Sequence, residues 1–82
     1  MKKIKLYTVG KCNECVHVRK MFREFGIKYQ ELDVTKDPFR KEVVEKTGYF
    51  SVPQVLVDEE HIGNYDLIVE LYKRKKLKEL LF

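Results

Sequence analysis

The sequence predicts an α/β fold in which a four-stranded mixed sheet is flanked by helices on both faces. Short runs of β-branched and aromatic residues alternate with longer stretches whose apolar residues recur every three or four positions, which is typical of strands alternating with amphipathic helices. Near the C-terminal end, two strand-like runs follow each other directly and indicate a hairpin. The predicted order is β-α-β-α-β-β-α, and the length of 82 residues predicts one domain over residues 1–82.

The first strand and the first helix are predicted over residues 4–9 and 13–25. The strand-like run is rich in β-branched and aromatic residues and ends at Gly10. After Cys12, apolar side chains recur at helical spacing until Gly26, which can end a helix. That stripe comprises Cys15, Val18, Met21, Phe22 and Phe25. The first helix therefore begins directly after Cys12.

A second strand is predicted over residues 27–34 and a second helix from Asp37 to Gly48. Asp37 is expected to cap this helix and Pro38 to take its first position, because Asp accepts hydrogen bonds from free helical N–H groups and Pro lacks one. Three apolar side chains of the helix are expected to face the core: Phe39, Val43 and Val44.

The last third of the chain predicts a hairpin and a third helix. Residues 52–57 form a strand whose Pro is confined to its start, residues 58–60 form a turn, and residues 61–63 return with His61 on the solvent side. Asn64 is expected to cap the third helix. The buried stripe of that helix is predicted to comprise Leu67, Ile68, Leu71 and Tyr72, with Leu77, Leu80 and Leu81 in a final short turn on the same core.

The charge pattern argues against a nucleic-acid or membrane partner. The formal net charge of +4 is a small excess, and much of it lies in residues 73–76, at a predicted helix end where cations complement the helix dipole. The basic residues at the start are not followed by a long apolar run, so we expect neither a signal peptide nor a membrane span. We therefore expect a cytoplasmic monomer.

Cys12 and Cys15 are the candidate catalytic residues. Two cysteines three positions apart are too few and too close for the disulfide framework of a secreted protein, and in a reducing compartment such a pair is typically catalytic or metal-binding. A thiol attacks a disulfide only as the thiolate. The helix start beside Cys12 offers free N–H groups and a positive dipole end, and Lys11 adds a cation. This setting favours ionisation of Cys12.

The helical stripe predicts different roles for the two thiols. Cys15 shares a face with Val18 and is expected to be buried, whereas Cys12 is expected to be exposed. Burial raises the pKa of a thiol and a positive helix end lowers it, so Cys12 is predicted to attack and Cys15 to resolve the mixed disulfide. The carboxylate of Glu14 opposes a neighbouring thiolate. The predicted pKa of Cys12 therefore lies below that of a free thiol without being extreme.

Three motifs carry a resemblance to a known family. They are C-N-E-C at residues 12–15, S-V-P at residues 51–53 before a strand, and G-N-Y-D at residues 63–66 entering the last helix. With these motifs in this order and spacing, the sequence resembles the glutaredoxins over essentially its entire length. The resemblance implies a thioredoxin-like fold and thiol–disulfide oxidoreductase activity.

The resemblance also implies a substrate site. It implies a cis peptide bond between Val52 and Pro53 beside the Cys12 sulfur, with the Val52 backbone binding an incoming cysteinyl substrate. Disulfide-containing proteins would be the substrates, glutathione or a thioredoxin-reductase-type donor would supply electrons, and no bound cofactor is expected. The substrate-binding residues expected from the motifs and their flanks are Lys11, Tyr49, Val52, Pro53, Gly63, Asn64 and Asp66.

Several positions depart from the glutaredoxin pattern. Residues 13–14 are Asn-Glu where the family usually has Pro-Tyr, Val9 stands where many members have Lys, and Asn64 replaces a second Gly. Tyr49 and Phe50 stand where relatives place polar or basic residues. Each departure removes a partner for the charged ends of glutathione. Tyr49 and Phe50 either form a surface that recognises proteins or pack under their loop.

Two other functions fit the same pattern. The first is metal or iron–sulfur cluster binding, because a cluster shared between subunits needs only one or two thiolates from each chain; a single-chain metal site is not expected, because His17 points away from Cys15 on the helix. The second is a non-catalytic docking module that uses the loop around Tyr49 and Phe50.

Overall fold

The computed structural model describes residues 2–81, except for the side chain of Lys78. Within that range the strands are β1 (Ile4–Thr8), β2 (Gln30–Asp33), β3 (Gln54–Val57) and β4 (Glu60–Asn64). The helices are α1 (Asn13–Glu24), α2 (Phe39–Thr47), α3 (Tyr65–Lys73) and α4 (Leu77–Leu81). Among the described residues, no helix is both long enough and apolar enough to cross a membrane.

The strands form one mixed sheet in the order β2-β1-β3-β4. β1 pairs with β2 in parallel, while the β1–β3 and β3–β4 pairs are antiparallel. This is the predicted βαβ unit followed by a hairpin, and the predicted fold class is confirmed. The final short turn predicted after the third helix is the helix α4.

The strand register brings three chain segments to one end of the sheet. Tyr7 near the end of β1 pairs with Gln54 at the start of β3, and Gln54 pairs with Asn64 at the end of β4. The segment leading to α1, the loop over residues 48–53 and the junction between β4 and α3 therefore leave or enter the sheet at the same end. This end carries the candidate site.

Helices cover both faces of the sheet because the strand side chains alternate. α1, α3 and α4 pack on one face, and α2 covers the other. The larger core contains Ile4, Leu6, Val18, Met21, Phe22, Ile27, Val55, Val57, Ile68, Leu77 and Leu81. The smaller core, beneath α2, contains Tyr7, Leu32, Val34, Val43 and Leu56.

The second strand is shorter than the predicted range 27–34. The N–H of Ile27 donates to the carbonyl of Phe22 over 2.9 Å, and the N–H of Gly26 donates to Arg23 over 3.1 Å. Gly26 has φ +66°, so these bonds form a left-handed closure of α1. Ile27 is thus used to end the helix, and its buried side chain belongs to the core without belonging to the sheet ladder.

Three predictions for the second helix are wrong. Pro38 does not take the first helical position but stands at the cap, before Phe39. Asp37 does not cap it: the helix begins at Phe39 and has no side-chain cap, and the N–H of Arg40 already donates to the carbonyl of Lys36. Val44 is 40% exposed, because the core-facing positions follow the spacing of Val43 and Thr47 and Val44 lies one step round the helix. The predicted end at Gly48 is confirmed, with φ +79°.

The third helix begins as predicted, with one difference in its buried stripe. Asn64 Oδ1 accepts the N–H groups of Asp66 over 3.1 Å and Leu67 over 3.5 Å. Ile68 is fully buried, and Leu71 and Tyr72 are partly buried against the larger core. Leu67 is 37% exposed, so its predicted place in the core is wrong. Its side chain lies instead beside the backbone of Gly63.

A network of ion pairs ties α2 to the sheet and to the β3–β4 turn. Lys5 on β1 contacts Glu59 in the turn at 2.6 Å and Glu42 on α2 at 3.5 Å. Glu59 also pairs with Lys46 on α2. Hydrogen bonds from Lys46 and then Lys5 lower the pKa of Glu59 to about 2.

We predict that Glu59 contributes an acid-sensitive part of the stability. Its folded pKa of about 2 lies below the ordinary value of 4.5, so the contribution is complete above about pH 4.5 and is lost as the pH falls towards about 2. Glu59→Gln should lower the urea midpoint near neutral pH and show a smaller loss of stability between about pH 7 and about pH 3 than the wild type. Glu60→Gln is the matched control, since Glu60 forms no ion pair with the described residues. Equal pH dependence in all three proteins would contradict the assignment.

Candidate active site

Cys12 lies at the cap position of α1. Its backbone is extended, with φ −149°, and its carbonyl accepts the N–H of Val16 over 3.1 Å. Its sulfur accepts the N–H of Cys15 over 3.0 Å. The Cys12 side chain therefore occupies the place that a Ser or Asp oxygen takes in an ordinary helix cap.

Cys15 faces the core one turn further along α1. It is fully buried, on the same stripe as Val18 and Phe22, whereas Cys12 is half-buried. The two Cα atoms are 5.2 Å apart and the sulfurs are joined in a disulfide. The pair is thus close enough to cycle between dithiol and disulfide, and only its first member lies towards solvent.

The neighbours of Cys12 carry opposite charges. Lys11, Asn13 and Glu14 are all exposed, and Glu14 lies in the first turn of α1. The role of Lys11 as a cation beside Cys12 stays a prediction. The Glu14 carboxylate, whose negative charge would oppose a thiolate on Cys12, also lies at the start of α1.

The loop over residues 48–53 presents a turn of backbone at the same end of the sheet. The Val52–Pro53 peptide bond is cis, as the resemblance implies. Pro53 is buried and Val52 is half-buried against the smaller core. Tyr49 and Phe50 are 59% and 54% exposed, so the alternative that they pack under the loop is wrong.

Phe50 lies beside α2. The Arg40 guanidinium carbon stands 5.4 Å from the centre of the Phe50 ring. Arg40, Val44 and Phe50 contribute to the lining of an open cavity of about 550 Å³. The exposed aromatic side chain therefore adjoins a partly apolar, partly charged surface next to the loop.

Two side chains that are not among the predicted site residues hold this loop. The Thr47 hydroxyl accepts the N–H of Tyr49 over 3.1 Å and donates to the carbonyl of Val43 over 2.6 Å. The amide of Gln54 donates to Ser51 Oγ over 3.2 Å. A signal was present in the sequence: a polar residue inside the apolar strand of residues 52–57 needs a partner when it is buried.

The sequence predicts His61 on the solvent side, and this prediction is wrong. His61 is partly buried, and its Nε2 lies 2.9 Å from Gln54 Oε1. Its ring also lies 6.0 Å from the ring of Tyr49. The prediction failed because these contacts depend on the pairing of β3 with β4.

The junction between β4 and α3 contains the remaining predicted site residues. Asn64 and Asp66 are exposed, and the Asn64 side chain serves as the helix cap described above. Gly63 has a packing reason for being glycine, since a Cβ there would lie 2.9 Å from Leu67 Cβ and 2.5 Å from Leu67 Cδ2. Asn64 and Gly63 therefore each have a structural role at this junction, in capping α3 and in making room for Leu67.

The described residues, 2–81, include no group of three or more His, Cys, Asp and Glu side chains that could hold a metal ion. His17, which a single-chain metal site would need, is exposed, and its Nδ1 lies 2.7 Å from the Tyr65 hydroxyl. A cysteine pair at a helix start, at the same end of a mixed sheet as a cis-Pro loop, defines the class of thioredoxin-like thiol–disulfide oxidoreductases.

Comparison with known proteins narrows this class. The family model described as Glutaredoxin matches residues 4–62. Among curated proteins, glutaredoxin 3 of Escherichia coli is 30% identical over 82 residues, covering 99% of each chain. The glutaredoxin of Pseudomonas aeruginosa is also 30% identical, covering 99% of this chain and 98% of its own.

Solved structures agree with the sequence comparison. The solution structure of glutaredoxin from Brucella melitensis has a TM-score of 0.82 and 27% identity, covering 99% of this chain and 89% of that one. A buckwheat glutaredoxin–glutathione complex has a TM-score of 0.82 and 25% identity, covering 98% and 76%. The chain belongs to the glutaredoxin family. It is a thiol–disulfide oxidoreductase.

We predict that Gly63→Ala destabilises the protein through the contact with Leu67. Crowding of this kind costs about 1–3 kcal/mol, measured as a decrease in the free energy of unfolding in urea. Gly10→Ala is the control, because a Cβ at Gly10 would have no atom within 4 Å. Equal stabilities of the two variants would show that Leu67 moves aside at no cost.

Proposed function

We propose that the protein reduces protein disulfides and glutathione mixed disulfides through a dithiol cycle of Cys12 and Cys15. The observation that carries this proposal is the capping geometry. The Cys12 sulfur accepts a backbone N–H at the start of α1 and is disulfide-bonded to the fully buried Cys15. Such a donor stabilises a thiolate more than a thiol, because hydrogen bonds to a charged acceptor are stronger.

The cycle transfers two electrons. The Cys12 thiolate attacks one sulfur of the substrate disulfide, and a new bond forms between them while the other substrate sulfur leaves and takes up a proton. Cys15 then loses its proton and attacks the Cys12 sulfur, which forms the Cys12–Cys15 disulfide and releases the second substrate thiol. Two thiol equivalents from glutathione, or a reductase, return the pair to the dithiol state.

Substrate would be held at the end of the sheet where the segment before α1, the loop over residues 48–53 and the β4–α3 junction meet. We assign the Val52 backbone, beside Pro53, to pair with the cysteinyl segment of the substrate. Lys11 directly precedes Cys12 in the chain. Gly63, Asn64 and Asp66 lie at the β4–α3 junction, at the same end of the sheet. Tyr49 complements these contacts with an exposed ring.

The choice between glutathione and a reductase as electron donor rests on opposing observations. A related buckwheat glutaredoxin was solved in complex with glutathione, which supports glutathione as co-substrate. Against it, Tyr49, Phe50 and Asn64 stand where the family has groups that suit glutathione. We propose protein disulfides as the main substrates and glutathione as the main reductant, acting on a monomer in the cytoplasm, where thiols are kept reduced.

Replacing each cysteine tests the assigned roles. Cys12→Ser is expected to abolish reduction of both insulin disulfides and a glutathionylated peptide. Cys15→Ser is expected to retain activity on the glutathionylated peptide only, because that reaction needs a single thiol once glutathione resolves the intermediate. Full activity of Cys12→Ser would refute the assignment. Function that survives replacement of both cysteines would favour the docking-module alternative.

The electron donor is tested by comparing two complete assays. With glutathione and glutathione reductase, turnover of the glutathionylated peptide should exceed that with thioredoxin reductase by about tenfold or more, a difference of about 1.4 kcal/mol in transition-state free energy. The reverse ratio would show that the family's glutathione contacts are lost here. Visible absorption and iron analysis of anaerobically purified protein belong to the same experiment, since a coloured, inactive, iron-containing preparation would favour the cluster alternative.

A further inference from the structure

The loop over residues 48–53 is held at two points by side chains outside it. At its start, the Thr47 hydroxyl accepts the N–H of Tyr49 over 3.1 Å. At its end, the side-chain amide of Gln54 donates to Ser51 Oγ over 3.2 Å. Ser51 directly precedes Val52, whose backbone we assign to substrate. The second support therefore acts one residue away from the substrate-binding backbone.

Gln54 is a buried amide with a hydrogen-bond partner on each side. The residue is 1% exposed and begins β3, and no buried side-chain N or O among the described residues lacks a partner. Its Nε2 donates to Ser51, so its Oε1 must accept from the other side. That partner is His61 Nε2, at 2.9 Å, and the tautomer with its hydrogen on Nε2 is the one that donates to Oε1.

Strand pairing accounts for this contact. His61 pairs with Leu56 across β3 and β4, and Gln54 lies two residues before Leu56 on the same face of the sheet, where a long side chain reaches diagonally. The His61 ring also lies 6.0 Å from the Tyr49 ring, at an interplanar angle of 48°. His61 thus contacts the loop directly at Tyr49 and indirectly, through Gln54, at Ser51.

We propose that His61 is a positioning residue for substrate: its N–H orients the Gln54 amide, which fixes Ser51 and with it the Val52 backbone. The proposal rests on the function assigned above and deepens it by adding a residue that touches neither sulfur. Without the His61 donor, Gln54 Oε1 loses its buried partner and the amide can turn away from Ser51. The loop then binds the cysteinyl segment less well, while Cys12 keeps its own setting at the start of α1.

Two substitutions separate the hydrogen bond from the ring contact. His61→Phe keeps an aromatic ring beside Tyr49 and removes the donor, whereas His61→Gln supplies an N–H donor without the ring. For reduction of a glutathionylated peptide, we expect His61→Phe to lose about tenfold in kcat/KM, mainly through KM, as the loss of one buried hydrogen bond would predict. We expect His61→Gln to recover most of that loss. The alkylation rate of reduced Cys12 by iodoacetamide should be unchanged in both, which a general disturbance of the fold would not allow.

Ser51→Ala tests the connection through Gln54. If the effect passes along this chain, Ser51→Ala lowers kcat/KM in the same direction, and the double variant with His61→Phe loses no more than the larger single effect. Strictly additive losses would overturn the proposal. So would wild-type kcat/KM in His61→Phe.

Hydrogen exchange distinguishes failure of this inference from failure of the proposed function. In His61→Phe, the backbone amides of residues 49–52 are expected to exchange several-fold faster, with those of α1 unchanged. This measurement needs no activity. An inactive wild type would refute the proposed function alone, whereas unchanged exchange in the loop would overturn the inference even if the wild type is fully active.

Discussion

The hydrogen bond from the Cys15 N–H to the Cys12 sulfur is the interaction on which the site depends. It places a sulfur where helix caps usually place an oxygen, at the point where the first N–H groups of α1 lack partners within the helix. The same turn of helix carries Cys15 into the core. One local structure therefore provides both a stabilised sulfur facing solvent and a protected sulfur within bonding distance.

The register of the sheet places other chain segments at the same end of the sheet as Cys12. The pairing of Tyr7 with Gln54 and of Gln54 with Asn64 sets the ends of three strands side by side. Cys12, the cis-Pro loop and the start of α3 therefore lie at one end of the sheet. Gln54 stands at the centre of this arrangement. It contributes backbone to both strand pairs and a buried amide to the loop, which explains why a polar residue is kept in an otherwise apolar strand.

Sequence patterns that act over one helix or one strand were enough to predict much of this. The strand and helix order, the ends at Gly26 and Gly48, the Asn64 cap and the burial of Cys15 all follow from spacing along a single element. The failures involve competing local bonds or neighbours distant in sequence. Ile27 closes α1 instead of joining β2, and the backbone bond from Arg40 to Lys36 occupies a donor that an Asp37 cap would need. His61 meets Gln54 only after β3 and β4 have paired, so no pattern within either strand could reveal the contact.

The central claim is that the start of α1 stabilises the ionised form of Cys12. The direct measurement is a titration of thiolate absorbance in the reduced Cys15→Ser variant, where Cys12 is the only thiol. The account predicts a pKa for Cys12 below the free-cysteine value of about 8.5, moderated by Glu14. A Cys12 pKa at or above that value would contradict it.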